Sequence, residues 1–464
     1  MAGVALPLRA SLKAGALLLA AALVAAPAPA QVTDETRVAT YGRFRTALDA
    51  GNLPEAAVHA QALVADTEAQ HGRDSRELVN PLTNFGTVAF RRGDFAAAEA
   101  AYERAVALLE GKAAAADPLL VRPLAGLGEA RLATGRPEEA AAAFKRALDL
   151  SRNLDGLFNV GQLDIIDPLI ECYVALDRLQ DAEKEHQYAF RVAETAFGRG
   201  DPRMLDPLDR LARWYEFVGR YTTARGLHAR ALQIAEATGG QGTPTGVPAL
   251  RGLARSFYLE AIYGPEEPES AAAGDPFAMG PGTMFAPPPQ EQGRLNPEGE
   301  RALRFALEVL SRQQPPDHRA RGETLVELAD WYLVAGALPR ALPAYAEGWK
   351  ELETAGGGAV DVLRVPRRLA YKAPPASIAR MQPEDPAAYE ERHVELGFTV
   401  LADGRVADIV TRSTDAPQNL ERSAQFALRR ARYAPRLEGG VPVDTPGVTL
   451  RETMLVRLPR EARQ

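Results

Sequence analysis

Five positions spaced by 42 residues constrain this chain more than anything else in it: Gly51, Gly93, Gly135, Asp177 and Gly219. Five residues after each stands an alanine, at Ala56, Ala98, Ala140, Ala182 and Ala224. Four residues further on come Ala60, Tyr102, Phe144, His186 and His228, and three beyond those Leu63, Ala105, Ala147, Ala189 and Ala231. A fixed period of this size marks a repeat architecture, in which one unit cannot bury its own apolar face and neighbours must stack. Within the unit the spacing is helical. The glycine ends one helix, because a left-handed backbone costs it least. The alanine marks where the next helix crosses its partner closely, and the larger residue one turn on fills the gap beside it. Pro81, Pro123 and Pro207 are expected just ahead of the first helix of their units, where a missing N–H does no harm.

This pattern resembles the tetratricopeptide repeat. In GTVAFRRGDFAAAEAAYERAV the match runs through Gly86, Gly93, Phe95, Ala98, Tyr102 and Ala105. In ARWYEFVGRYTTARGLHARAL it runs through Tyr215, Gly219, Tyr221, Ala224, Ala231 and Leu232. The family's usual period is about 34 residues, so the helices or the connections here must be longer. A sixth unit starts with Leu250, Leu253, Ala254 and Phe257 and is then interrupted over 264–297 by a stretch rich in Pro and Gly. Such a stretch has too little periodic apolar content to pack and is expected to be disordered. Its Phe277, Met279, Met284 and Phe285 read either as a docking peptide or as part of a tolerated surface insertion. Helix is expected to resume from Pro297 to Arg312, with Ala302, Ala306 and Leu310 on one face. A seventh unit follows with Leu325, Leu328, Tyr332, Gly336, Ala341 and Tyr345.

After about residue 391 the period changes from helical to alternating. Val394, Leu396, Phe398 and Val400 point one way and Glu395, Gly397 and Thr399 the other. Asp403-Gly404 reads as a two-residue hairpin turn, and Val406 to Thr411 as the returning strand. Leu420, Ala424, Ala427, Leu428 and Ala431 share one helical face, Gly439-Gly440 turns the chain, and Val448, Leu450, Met454, Val456 and Leu458 alternate in a last strand. The order is strand, strand, helix, strand. These elements resemble the C-terminal domain of TonB-type proteins. The resemblance is carried by Asp403, Gly404, Val406, Leu420, Ala424, Ala427, Leu428, Tyr433, Pro435, Gly440, Pro442 and Val443, and covers roughly Leu369 to Leu458. It implies a domain that pairs with a strand from an outer-membrane receptor. In that family a membrane anchor and a Pro-rich spacer precede the domain and couple it to a proton-driven motor. Here a signal and a folded solenoid stand in their place.

The first thirty residues are a secretory signal pattern. Arg9 and Lys13 open it, Ala14 to Ala26 is a small and apolar run, and Ala28 and Ala30 fit an A-x-A cleavage site. The run is shorter than the roughly 20 residues of a membrane span. Cleavage after Ala30 is expected, leaving no span, and retention would leave a membrane-associated protein. Cys172 is the only cysteine, so no disulfide forms within the chain, and its helical context predicts a buried small hydrophobe. The net charge of -7, with 54 Lys and Arg interleaved among 61 Asp and Glu, argues against nucleic-acid binding. No metal, phosphate or nucleophile motif occurs, so neither catalytic residues nor a metal nor a cofactor is expected. His186 and His228, one repeat apart, are expected to fill the slot that Tyr102 and Phe144 fill elsewhere.

The sequence therefore predicts an α-solenoid of tetratricopeptide-like helix pairs with a 42-residue period, followed by a small α+β domain of order ββαβ that is TonB-like. Its expected divisions are a signal over 1–30, repeats over 31–364 with the insertion 264–297, a Pro-rich linker over 365–391 and the terminal domain over 392–459. Its expected role is that of an exported, noncatalytic interaction scaffold of the bacterial periplasm. Partners would be envelope proteins, among them an outer-membrane receptor or its periplasmic peptide. The alternative is an accessory energy transducer for transmembrane transport. First-helix residues Asn84, Arg91, Glu129, Glu171, Arg210 and Arg213 are the candidates to line a groove, with Asn80, Arg122 and Asp209 beside them.

Overall fold

The structure is a computed structural model and describes residues 34–110, 117–264, 295–378 and 388–458. The signal pattern and most of the 264–297 insertion, including its Phe and Met residues, lie outside the described residues. The chain divides into two compact units, one up to Arg136 and one from Pro137. In the first, α1 (Asp34–Asp49), α2 (Leu53–His71), α3 (Val79–Arg91), α4 (Phe95–Glu110) and α5 (Val121–Ala133) each pack on the next. In the second the same succession runs through α6 (Pro137–Asp155), α7 (Leu163–Ala175), α8 (Leu179–Phe197), α9 (Leu205–Phe217) and α10 (Tyr221–Gly239). It continues through α11 (Val247–Tyr263), α12 (Pro297–Arg312), α13 (His318–Val334) and α14 (Leu338–Ala355).

The 42-residue spacing has a local cause at each of its landmarks. Gly51, Gly93, Gly135 and Gly219 take φ values of +71, +79, +74 and +86°, and Asp177 adopts the same left-handed region at +54°. Aspartate is one of the few side chains that tolerates it. The alanines Ala56, Ala98, Ala140, Ala182 and Ala224 are completely buried. The length beyond a shorter repeat has two sources. The second helices α6, α8 and α10 run to 19 residues. The connection to the next pair then contains a short 3-10 turn, capped by Ser75, Asp117, Asn159 or Asp201, whose side chain accepts the N–H two residues on. These caps also recur every 42 residues. The prolines sit differently from the expectation: Pro81, Pro123 and Pro207 are inside the first turns of α3, α5 and α9 rather than ahead of them. The first-turn N–H groups of a helix have no partner within it, so proline costs nothing there.

Two slots show how the large residue of each unit is held. In the first unit the Tyr102 ring lies between Gly86 and Gly126, where an added Cβ would come within 2.7 and 2.4 Å of it. In the second, His228 lies against Gly252 at 2.3 Å on the same measure. Across the insertion, α11 and α12 pack on each other, and α12 begins at Pro297 with Asn296 accepting the Glu298 N–H at 3.0 Å.

The terminal piece holds β1 (Arg367–Ala370), β2 (Tyr389–Val400), β3 (Val406–Thr414), α15 (Gln418–Arg429), β4 (Arg432–Ala434), β5 (Arg436–Glu438), β6 (Val441–Val443) and β7 (Thr445–Arg457). The main antiparallel sheet has the order β3-β2-β7 and, with α15 against β2 and β3, forms the expected ββαβ body. Val394, Leu396, Phe398 and Val400 are buried together with Ala424, Leu428 and Met454. The β2–β3 turn is longer than two residues. Leu401 N–H donates to Arg405 O and Gly404 N–H to Leu401 O, so three residues turn the chain, Ala402, Asp403 and Gly404, the last at φ +78°. That is a type I turn closed by a left-handed glycine, which suits the twist of the strands. Gly439 and Gly440, both at positive φ, make the β5–β6 turn.

The stretch expected as a Pro-rich linker over 365–391 is in its described part a folded piece. β1 pairs antiparallel with β4, Arg367 opposite Ala434. Tyr371 is buried in the sheet-domain core, and β2 begins at Tyr389, ahead of 392. Of its prolines, Pro366, Pro374 and Pro375 lie outside the strands, so the backbone donors of β1 stay available for pairing; Pro383 and Pro386 lie outside the described residues.

Candidate functional site

The predicted groove residues fall on first helices. In the first unit Asn84 on α3 is half-buried, while Arg91 on α3 and Glu129 on α5 are exposed. In the second, Glu171 on α7 and Arg210 and Arg213 on α9 are exposed. The structure does not leave the two arginines as free charges. Arg210 pairs with Asp167 and, at 3.0 Å, with Asp206, and Arg213 pairs with Asp209 at 2.6 Å. Arg210 also lines a cavity of about 210 Å³ with Asp164, Asp167, Asp206 and His186. His186 stacks on Trp214 with ring centroids 4.6 Å apart, and burial, aided by the Arg210 charge, lowers its pKa to about 4. His228 is deeper, with Nε2 3.1 Å from the buried Glu216. The two histidines thus occupy the slot predicted for them. Burial pushes the Cys172 thiol up to about 11, which suits a packing role. Among the described residues no group of three or more His, Cys, Asp or Glu side chains is placed to hold a metal ion, and no helix is long and apolar enough to cross a membrane.

The sheet edges differ from each other. β3 is irregular: its register against β2 shifts twice, and Asp408 stands at φ +51°. Bulges of this kind blunt an edge against further pairing. β7 keeps one register with β2 from Val448 to Arg457. On its outer side the chain itself supplies a partner. Ile378 N–H donates to Thr453 O at 3.0 Å and Leu455 N–H to Ala376 O at 2.8 Å. Between them Ser377 is buried and donates to Glu452 Oε2 at 2.9 Å. By the two-residue alternation of a strand, Thr449 and Arg451 present their backbone groups to the same side. Neither has a backbone partner on that side among the described residues.

Sequence reasoning missed three features here. Glu452 takes an inward position of β7 among apolar neighbours, a slot that alternation alone assigns to a hydrophobe. Ala376–Ile378 looks like spacer in the sequence. The third is a buried polar cluster joining α13, α14 and β1. Arg367 Nη2 donates to both carboxylate oxygens of Asp330 at 3.1 and 3.0 Å, and Tyr345 Oη donates to Asp330 Oδ1 at 2.5 Å. Burial pushes the Asp330 carboxyl upward against the pull of Arg367. Around the cluster Trp331, Leu333, Trp349 and Leu352 share one core with Val360, Leu363, Ala434 and Leu437. Gly404 is held there too, since a Cβ on it would meet Tyr433 O at 2.5 Å and Leu333 Cδ2 at 2.7 Å. The only signal in the sequence was the Arg367-Arg368 pair ahead of the prolines.

Comparison with known proteins fits these two parts. Models described as tetratricopeptide repeat match residues 165–261 and 124–157. The model for the Gram-negative bacterial TonB protein C-terminal matches residues 387–451. Tetratricopeptide repeats and a TonB-type C-terminal domain therefore occur in this one chain. Among solved structures it is similar to the Podosopora anserina putative kinesin light chain nearly identical TPR-like repeats (15% identity, covering 52% of this chain and 99% of that one, TM-score 0.40). It is also similar to BtubC (BKLC) from P. vanneervenii (15%, 69% and 93%, 0.37) and to aspartyl phosphate phosphatase F from Bacillus subtilis (11%, 68% and 70%, 0.37). No curated protein matches the chain.

Proposed function

We propose that this chain, which joins tetratricopeptide repeats to a TonB-type C-terminal domain, is an exported, noncatalytic interaction scaffold of the bacterial periplasm. Its repeats bind protein partners through first-helix residues, Asn84, Arg91 and Glu129 in the first unit and Glu171, Arg210 and Arg213 in the second. Its terminal domain takes an extended segment of a second envelope protein, such as the periplasmic peptide of an outer-membrane receptor, onto the outer edge of β7. The observation that carries the reading is the β7 edge: it is regular, and at Thr453 and Leu455 it already holds an extended segment, the chain's own Ala376–Ile378. Main-chain pairing of this kind supplies affinity without demanding one partner sequence. Two binding modules on one polypeptide raise the effective concentration of whatever pair they join.

The test is co-purification from the cell envelope with the full chain and with Thr449→Pro. Proline at this outward position removes an edge N–H and leaves the β2 ladder intact. Loss of an outer-membrane partner in T449P, with other partners kept, supports strand addition at β7. An unchanged partner set rejects it. The second reading, an accessory energy transducer, is favoured by the TonB-type match itself. It requires an anchor, so an intact Met1 on the mature protein supports it and a mature terminus at Gln31 supports the periplasmic scaffold.

A further inference from the structure

A cavity of about 290 Å³ opens where α11, α12 and α13 meet β1, so its wall is part repeat and part terminal domain. Three guanidinium groups stand in it, and they are not equally committed. Arg251 is spent on its neighbours, with two bonds to Glu327 at 2.9 and 2.7 Å and one to Glu323 at 3.0 Å. Arg255 gives Nε to Glu216 at 2.6 Å, and its Nη2 is buried with no acceptor among the described residues. Arg368 is exposed, lies 5.3 Å over the Tyr371 ring and has no carboxylate partner among the described residues. The acids on the same wall are already engaged: Glu327 by Arg251, Asp330 by Arg367 and Tyr345. Beside Arg368 and the one unpartnered nitrogen of Arg255, the wall carries the apolar side chains of Leu259, Leu303, Trp331 and Leu369.

A buried donor without an acceptor is costly to leave unmade, and a carboxylate is the acceptor whose geometry suits a guanidinium best. The volume lies at the lower limit for a drug-sized ligand and suits one or two side chains. We propose that this cavity binds an acidic peptide, seating a carboxylate side chain against Arg255 and Arg368 and the adjoining apolar side chain on Trp331 and Leu369. Neither a run of repeats nor a TonB-type domain alone builds this wall. A bound peptide touches both parts and so stabilises their junction by linkage.

The experiment titrates the full mature chain with acetyl-Leu-Glu-Leu amide and with acetyl-Leu-Gln-Leu amide, reading tryptophan fluorescence and the thermal midpoint. The expected result is saturable binding of the Glu peptide with a rise in midpoint. Affinity falls about tenfold for the Gln peptide and for Arg368→Gln, the change given by loss of one charge-assisted bond. R368Q leaves every described ion pair in place and gives up only the contact with the Tyr371 ring, and its unliganded thermal midpoint checks its folding. Trp331→Phe removes the fluorescence change and keeps the midpoint shift. Equal affinity for the two peptides, full affinity in R368Q, or no saturation at millimolar peptide overturns the proposal.

Discussion

The slot residues of the repeats and the polar groups that fasten the terminal domain find their partners by different routes. In a repeat slot the partner is near, although ion pairs such as Arg255 to Glu216 cross 39 residues between repeats: Tyr102 donates to Thr87, 15 residues away, and its ring is cradled by Gly86 and Gly126. In the terminal piece it is far: Arg367 reaches Asp330 over 37 residues and Ser377 reaches Glu452 over 75. Local partners let each repeat be specified by its own few residues and be copied along the chain. Remote partners tie the terminal domain to the last helix pairs, so that it is a docked cap on α13 and α14 rather than a module on a spacer.

The largest effect should follow from cutting that tie. Asp330→Ala leaves Arg367 and the Tyr345 hydroxyl buried without their acceptor, at a cost of about 3 kcal/mol for a broken buried pair. Urea unfolding followed by tryptophan fluorescence measures it, and Asp330→Asn, which keeps an acceptor, should lose less. A loss below about 1 kcal/mol, the value for an exposed pair, would mean that the two parts are not fastened here and would remove the contrast between them. The same tie makes a chain cut after Arg364 a poor probe of the terminal domain, since the cut exposes the shared core around Trp331 and Trp349.

A repeat slot should yield a smaller and more local effect. Gly126→Ala places a methyl 2.4 Å from Tyr102 Cζ. Overpacking of this kind costs about 1–3 kcal/mol, and Tyr102→Leu in the same chain should recover part of it. Amide exchange in α3 to α5 reads both. If G126A is silent, the small-large pairing of the repeat is a habit of composition rather than a packing requirement.

The same contrast explains what was legible in advance. The 42-residue landmarks, the restart of helix at Pro297 and the inward face of β2 all follow from local rules: a left-handed glycine, a helical stripe, an alternating strand. The first-helix surface was legible as position only, because which exposed residues bind a partner depends on a molecule the sequence does not contain. The ion pairs that hold Arg210 and Arg213 were half visible: Asp206 and Asp209 lie one turn away, whereas Asp167 is contributed by the preceding repeat. Glu452 and Ala376–Ile378 were illegible for a different reason. Each looks wrong or idle alone, and only the other makes sense of it.

The smallest predicted effect distinguishes the histidine slots from the aromatic ones. His186 stays neutral in the fold down to about pH 4, while the unfolded chain takes up its proton near the ordinary value of about 6.5. Between those two values the unfolded state binds more protons. Stability is therefore complete above about pH 6.5 and is lost as the pH falls toward 4. With its partial exposure discounted, the loss should be about 1–2 kcal/mol. His186→Phe installs the residue that Phe144 supplies one repeat earlier, and the difference between its stability curve and that of the parent isolates this one site. A parent curve that falls below pH 6.5 beside a flatter one for H186F would show that the repeat tolerates a histidine at the price of acid sensitivity. Parallel curves would show that the slot hydrates when the ring charges, and that the repeats bury their large residues less firmly than the terminal domain buries its polar ones.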